Sequence, residues 1–453
     1  MEMNIFHYWK EQNPRLDSGE WEGLLMKINF DTPINIEVEH IARVEGHGNI
    51  KIRIEDNKLA ECTWEVVETP RFFEVMMKGL SIEMAPVLAA RICGICSISH
   101  ALVSARAAER ALGIEIPDTA KKVRLLAKHA ETLQSHTLHL FFLVAPDLLD
   151  TGSVIPIAKT HPQVLQIATS LRGYANRASD LIAGRTSHPM AIKVGGMTKV
   201  PRKKQLRTLL EELEATLPYL WETLNFFKDL TWPDFTRETE FVSLRGAGDY
   251  PFIGGDLLSS DGVLKPEDEY RSMTNEYLVD FSTSKLCKLS RESFAVGALA
   301  RFNNNYSGLH PKAKVVAEEL NLNPPAHNPY FHNLAQLVEC FHVAYESKDM
   351  LAQLLDSDIS DYAVSYDIKA GTGVGAIEAP RGILYHSLDI DENGVIERAD
   401  CVIPTGQNHA NIHFDLQELV PELAARGMGE AEISKKAQML VRAYDPCISC
   451  SVH

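Results

Sequence analysis

Two cysteine pairs stand near opposite ends of the chain, in Arg91-Ile92-Cys93-Gly94-Ile95-Cys96 and in Asp445-Pro446-Cys447-Ile448-Ser449-Cys450. Two intervening residues let both sulfurs of a pair reach one metal centre, and Gly94 permits the tight backbone path inside the first pair. Four thiolates brought together can hold zinc, and four sulfurs also suffice for an iron-sulfur cluster. Spacing alone leaves both open. The remaining cysteines, Cys62, Cys287, Cys340 and Cys401, have no such spacing, and the first three read as core residues. Eight cysteines in 453 residues are too few for a disulfide scaffold, so metal or redox chemistry in a reducing compartment is the expectation.

Three histidines form the next candidate group. His129 and His136 are seven apart and His139 is three further on, near one face of a periodic segment. Hydrogen bonding between packed helices accounts for them, with ligation or support of a site as the alternatives. The chain as a whole is acidic, with a net charge of -16, and offers no field for a nucleic-acid backbone or an anionic membrane. Its basic cluster at Lys199, Arg202, Lys203, Lys204 and Arg207 lies beside Glu211, Glu212 and Glu214 and reads as a solvated face. The best apolar stretch, Leu138 to Leu149, is broken by Pro146 and Asp147 and falls short of the ~20 residues that cross a bilayer. Met1 is followed by charged and aromatic residues, so no signal for independent export is read.

The elements that must position these groups alternate in period. Residues 1–30 read as a leader or partner-contact extension, punctuated by Asn13-Pro14 and Ser18-Gly19. Alternation at Ile34 to Glu39, Ile50 to Ile54 and Trp64 to Val67 predicts an antiparallel β element with Glu45 to Gly48 in a connection. Thr69-Pro70 predicts the cap and first turn of a helix over Arg71 to Gly79, with Glu74 inside it. Ser99 to Leu112 is rich in small residues, which would let another helix approach closely. Periodic segments at Lys121 to Val144, Val164 to Leu181, Leu206 to Leu220 and Asn333 to Leu355, and a shorter one at Val315 to Leu322, make the middle helical. Gly382 to Leu388 and Val395 to Ile403 flank a turn and predict a hairpin, and a last helix, Glu432 to Arg442, leads to Cys447. The expected class is α+β, a large mainly helical core with small antiparallel β elements near the N- and C-terminal parts.

From about Ile34 to His453 the sequence resembles the large subunits of nickel-iron hydrogenases. The resemblance is carried by R-x-C-G-x-C followed by a histidine (Arg91 to Cys96, His100) and by D-P-C-x-x-C-x-x-H (Asp445 to His453). It implies one domain over residues 31–453, and a chain end at His453 like that left when a maturation protease removes a tail. It also implies Cys93 and Cys447 as terminal nickel thiolates, Cys96 and Cys450 as sulfurs bridging nickel to iron, and carbon monoxide and cyanide on the iron. Arg381 matches an arginine above the open metal positions, Thr405 a hydroxyl near a cyanide, and His100 a histidine bonded to a bridging sulfur. Glu45 matches the glutamate of R-x-E-G-H that exchanges protons with the Cys447 sulfur, work that suits a buried carboxylate. Glu74, His453 and the backbone carbonyl of Cys401 match the ligands of a magnesium or similar ion, and the stretch Ser135 to Asp147 matches site support.

The activity so implied is reversible heterolytic oxidation of H2, with Cys447 taking the proton, Glu45 exporting it and Arg381 fixing charge over the reacting position. No dense cluster-binding set of cysteines remains for an electron wire within the chain, so an iron-sulfur small subunit is expected as a partner, together with further electron-transfer subunits. Segments such as Gly246 to Gly262 and the short C-terminal ending resemble the cytoplasmic, multisubunit branch. No G-x-G-x-x-G stands in a strand-helix context, so a nucleotide site belongs on a partner. A structural zinc or partner-binding protein without catalysis, a respiratory-type relative, and a hydrogen-sensing hydrogenase are the alternatives; the respiratory-type relatives generally lack all four cysteines.

Overall fold

Where apolar and polar residues alternate, the pleat of a strand puts every second side chain on one face. Ile34–Val38, Gly48–Glu55 and Lys58–Val66 accordingly pair antiparallel in that order, burying Ile34, Ile36, Ile50, Ile52 and Ile54. The computed structural model describes residues 33–55 and 58–453, so the expected leader at residues 1–30 lies outside the described residues. The architecture is the expected α+β one, with a helical middle and small antiparallel sheets near both ends. The 246–262 segment contributes Asp256–Ser259, which pairs with Glu240–Arg245 in a further small sheet.

Asp118–Leu138, Pro162–Ala183, Lys203–Lys228 and His332–Asp356 are the long helices that the periodicity predicts, with Pro311–Glu319 the shorter one, and Pro404–Ala425 is a further long helix that it does not. The first does not run unbroken to Val144. It passes into a π-helical turn, His139–Val144, and then into Ala145–Leu148. Pro146 has no N–H to give the preceding turn, and a widened turn is how a helix accommodates such a gap. The histidine face serves packing. His129 Nδ1 pairs with Ser347 Oγ at 3.0 Å and His136 Nε2 with Glu339 Oε2 at 2.7 Å. His139 spends its two nitrogens on Gln336 Oε1 and the Arg442 carbonyl, at 2.7 Å each.

Two expectations are corrected. The small residues of Ser97–Leu112 take a strand, rather than a helix, at their closest approach, although the short Ala85–Ala89 helix also packs on them. Gly371–Ala379 crosses this helix so closely that a Cβ on Gly371 or Gly373 would lie 2.2 or 2.0 Å from the carbonyl oxygens of Ala111 and Ala107. Only glycine lets the two backbones touch in this way. The strand pairs with Gly382–Ile390, which pairs with Ile396–Val402 as the expected hairpin.

The second correction is at Arg71 to Gly79, where the helix is only Phe73–Met77 and Thr69-Pro70 does not cap it. Arg71 is held outside it: its backbone N–H donates to Val452 O at 2.9 Å, and its guanidinium donates to Ile92 O at 2.8 Å and to Ser449 O. Phe72 then turns the chain at φ 57°. Together these tertiary bonds outweigh a capping preference of about 1 kcal/mol.

Arg301, on the Ala298–Asn305 helix and 1% exposed, sits at the centre of a buried charge network. It donates to both oxygens of Glu339 at 2.6 and 2.7 Å, to Glu378 Oε2 at 3.0 Å, and to the carbonyls of Ala379 and Pro380 at 2.9 and 3.1 Å. The network therefore ties the His332–Asp356 helix to the strand end that delivers Arg381. Arg301→Met strands two buried carboxylates and is expected to cost about 3–5 kcal/mol of stability. Urea unfolding of the purified protein checks this; a loss within about 1 kcal/mol, the range of an exposed pair, would contradict it.

Candidate metal centre

Both cysteine pairs lie where the chain enters a helix. Cys96 immediately precedes Ser97–Leu112, and Cys447 immediately precedes Ile448–Ser451. Turning into the first helix points the N–H groups of Ile95 and Cys96 at Cys93 Sγ, 3.2 and 3.1 Å away, and such donors favour thiolate. The two loops meet although 354 positions separate them. Cys93 Sγ lies 3.6 Å from Cys447 Sγ, Cys96 Sγ 3.8 Å from Cys450 Sγ, and Cys447 Sγ 2.7 Å from Cys450 Sγ. All four are buried and unbridged, with their sulfurs within 4.8 Å of one another. Among the described residues they are the one such group of potential metal ligands.

The electrostatics of this group call for a cation. Hydrogen bonding from Cys447, Cys450 and Cys96 draws the Cys93 thiol well below its ordinary value, whereas burial among the other sulfurs pushes Cys450 well above. Thiolates packed this closely in a buried site repel one another, and a shared metal cation relieves that repulsion. Arg381 supplies a single fixed positive charge. Burial opposes that charge, but Asp445 and the sulfurs of Cys447, Cys96 and Cys93 outweigh the penalty. Its guanidinium donates to Asp445 O at 2.6 Å and to Asp445 Oδ1 at 2.8 Å. Thr405 Oγ1 accepts the Cys447 N–H at 2.9 Å. Arg381, Thr405 and His100 line a small cavity with Cys96, Cys447 and Cys450, walled otherwise by Ala379, Leu384, Ile403 and Pro404.

Glu45 reaches the second cysteine loop from the first sheet. Its carbonyl accepts the Ile448 N–H at 3.0 Å, while its carboxylate accepts the Ser449 N–H at 3.1 Å and the Ser449 hydroxyl. The side chain is half-buried rather than buried as expected, so it stands between the sulfur loop and the outside. Gly46, at φ +85°, makes the approach possible, because a Cβ there would fall 2.7 Å from Ile448 Cβ. Asp147 fastens both segments: it accepts from Arg43 at 2.5 Å and from Arg442 at 2.6 and 2.8 Å.

Glu74 and His453 also meet, with His453 Nε2 3.5 Å from Glu74 Oε1. Cys401 joins them through its backbone N–H, which donates to Glu74 Oε1 at 2.8 Å. Its thiol is buried apart from the four-sulfur group, as are Cys62, Cys287 and Cys340.

Comparison with known proteins agrees with this geometry. The family model described as "Nickel-dependent hydrogenase" matches residues 71–172 and 256–453. The alpha chain of sulfhydrogenase 1 from Pyrococcus furiosus is 34% identical over 422 residues, covering 92% of this chain and 97% of that protein. The chain belongs to the nickel-dependent hydrogenase family. A HoxL-like model matches residues 35–69, the sheet that carries Glu45. The alpha chain of sulfhydrogenase 2 from Pyrococcus furiosus is 31% identical over 418 residues, covering 92% of this chain and 98% of that one. The crystal structure of an NAD+-reducing [NiFe]-hydrogenase in the H2-reduced state superposes with a TM-score of 0.84 at 25% identity, over 94% of this chain and 100% of that one. As a catalytic-type member of this hydrogenase family, the protein is an oxidoreductase acting on hydrogen.

Several hydrogenase residues around the cysteines carry no local signal. Arg71 bridges the two cysteine loops through Ile92 O and Ser449 O. Ser187 Oγ donates to Gly94 O at 2.7 Å, and His188 braces the same loop through Ala90 O at 2.8 Å and Ser97 Oγ at 2.9 Å. Glu131, fully buried, accepts the Ser99 N–H at 3.0 Å and the Ser99 hydroxyl. Each partner is far away in sequence. Only the Arg-Thr-Ser-His-Pro cluster around Ser187, a breaker between helical segments, could have marked one of them as a loop with a task.

Proposed function

We propose that this chain is the hydrogen-activating component of a heteromeric complex, holding a nickel-iron pair between Cys93, Cys96, Cys447 and Cys450. The observation that carries the reading is the convergence of four buried sulfurs, without a hard ligand among them, from loops 354 positions apart. Such a soft donor set suits nickel and iron. Cys93 and Cys447 are assigned as terminal nickel ligands, and Cys96 and Cys450 as the bridging sulfurs. The adjoining cavity, apolar but for Arg381, Thr405 and His100, suits carbon monoxide and cyanide on the iron. When bound, the metal pair supplies the polarisation of H2 and the storage of its electrons.

The chain's own residues handle charge and protons. Cys447 Sγ receives the proton released from H2, and Glu45 passes it outward from its seat on Ser449. Thr405, whose oxygen already accepts from Cys447, keeps its own O–H to donate into the cavity. Arg381, locked by Asp445, holds a positive charge beside the sulfurs without having to reorganise. Glu74, His453 and the Cys401 carbonyl would hold a magnesium or similar hard ion.

Electrons leave to an iron-sulfur small subunit, then to further electron-transfer subunits, since the other cysteines form no second cluster among the described residues. No described helix is long and apolar enough to cross a membrane. The cytoplasm is the proposed location, with neither nucleic acid nor direct membrane insertion in the role. The complex, purified without oxygen, is expected to reduce an artificial dye when given H2. A complex inert to H2 and carrying zinc alone would favour a structural metal site instead.

A further inference from the structure

His386 lies on the Gly382–Ile390 strand opposite Cys401 and is fully buried. Its Nε2 is 3.3 Å from Nδ1 of His100, with the ring planes inclined at 50°. Its other nitrogen, Nδ1, is buried without a partner. His100 in turn lines the cavity shared with Cys96, Cys447 and Cys450. Both rings are buried, and burial disfavours the charged form of an imidazole.

Two neutral imidazoles in contact share one proton, which can sit in two ways. In the first, His386 donates from Nε2 to His100 Nδ1. His100 then carries its own proton on Nε2, the nitrogen left for the sulfur cavity, and His386 Nδ1 is a bare lone pair. In the second, His100 donates from Nδ1, turns a lone pair on the sulfurs, and leaves His386 with a buried N–H that has no acceptor. The second arrangement sets a lone pair against negative sulfur. It also orphans a donor, which folded proteins tolerate less readily than an under-used acceptor.

We propose that His386 is a positioning residue that fixes His100 as the Nε2–H tautomer, making it a hydrogen-bond donor to the thiolates of the metal centre. The inference rests on the reading of Cys96 and Cys450 as thiolate ligands. Hydrogen bonds to a ligand sulfur withdraw electron density and raise the reduction potential of the metal it binds.

Two measurements on the purified complex test this. In 15N-histidine-labelled protein, the His100 signals, identified by their loss in His100→Gln, are expected to show a protonated Nε2 and a bare Nδ1. A protonated Nδ1 overturns the proposal. In redox titrations of the nickel paramagnetic signal, His386→Leu is expected to keep nickel and iron but shift the midpoint to more negative potential. His386→Gln, whose amide can still donate to His100, is expected to restore most of the shift. An unmoved midpoint in His386→Leu overturns the proposal, and where that variant does not fold, the His386→Gln midpoint and the wild-type tautomer decide. Zinc in place of nickel would defeat the functional reading, whereas the nitrogen spectrum would still report the tautomer.

Discussion

Cys450→Ala is expected to empty the metal centre and lower H2-dependent dye reduction by more than about 100-fold, beyond what loss of an outer contact alone brings. Cys450 is buried with its sulfur 3.8 Å from that of Cys96, so its removal takes one of the two proposed bridging donors from a group that, among the described residues, no carboxylate or imidazole joins. Cys450→Ser separates softness from size. It keeps the volume but offers an oxygen, and is expected to fail almost as completely, because hard oxygen does not replace thiolate at such a site. Nickel and iron analysis beside the activity assay checks both variants. Cys340→Ala, in the packed helices, serves as the contrast: buried in the same way, it is expected to change stability and not metal content. Metal content unchanged in Cys450→Ala would remove that residue from the ligand set.

The second large effect belongs to Glu45. Glu45→Gln keeps the shape of the side chain and an oxygen that can still accept from Ser449, but it cannot carry a proton. Turnover is expected to fall by about 10²–10⁴-fold, the usual contribution of a positioned acid-base group, while both metals stay bound. Exchange between H2 and solvent deuterium should fall with it, since both need a proton to move between the sulfur loop and water. Hydrogen oxidation and isotope exchange at wild-type rates would reject Glu45 as the carrier.

What could be read from the chain differs between the donors and their surroundings. Cys93, Cys96, Cys447 and Cys450 were legible because ligand chemistry is written in residue type and close spacing. Their flanks, from Arg91 to His100 and from Asp445 to His453, turned an ambiguous zinc-or-cluster pattern into a hydrogenase one. Strands at Ile34 to Val66 and the long helices of the middle followed from periodicity. The Gly371–Ala379 strand was not foreseen, because its glycines look like breakers until the Ser97–Leu112 helix lies against them. Thr69-Pro70 misled for a related reason, as Arg71 exchanges a helical conformation for bonds to Ile92, Ser449 and Val452. The tie between Arg301 and Glu339 and the pairing of His100 with His386 span 38 and 286 positions, and no local pattern encodes such a partnership.

X-ray absorption at the nickel edge of the oxygen-free, mature complex tests the central claim most directly. The account predicts nickel surrounded by sulfur with an iron atom as its near neighbour, the two metals being present in equal amounts. Nickel without a sulfur shell, or four sulfurs closed around a lone zinc ion, would contradict it.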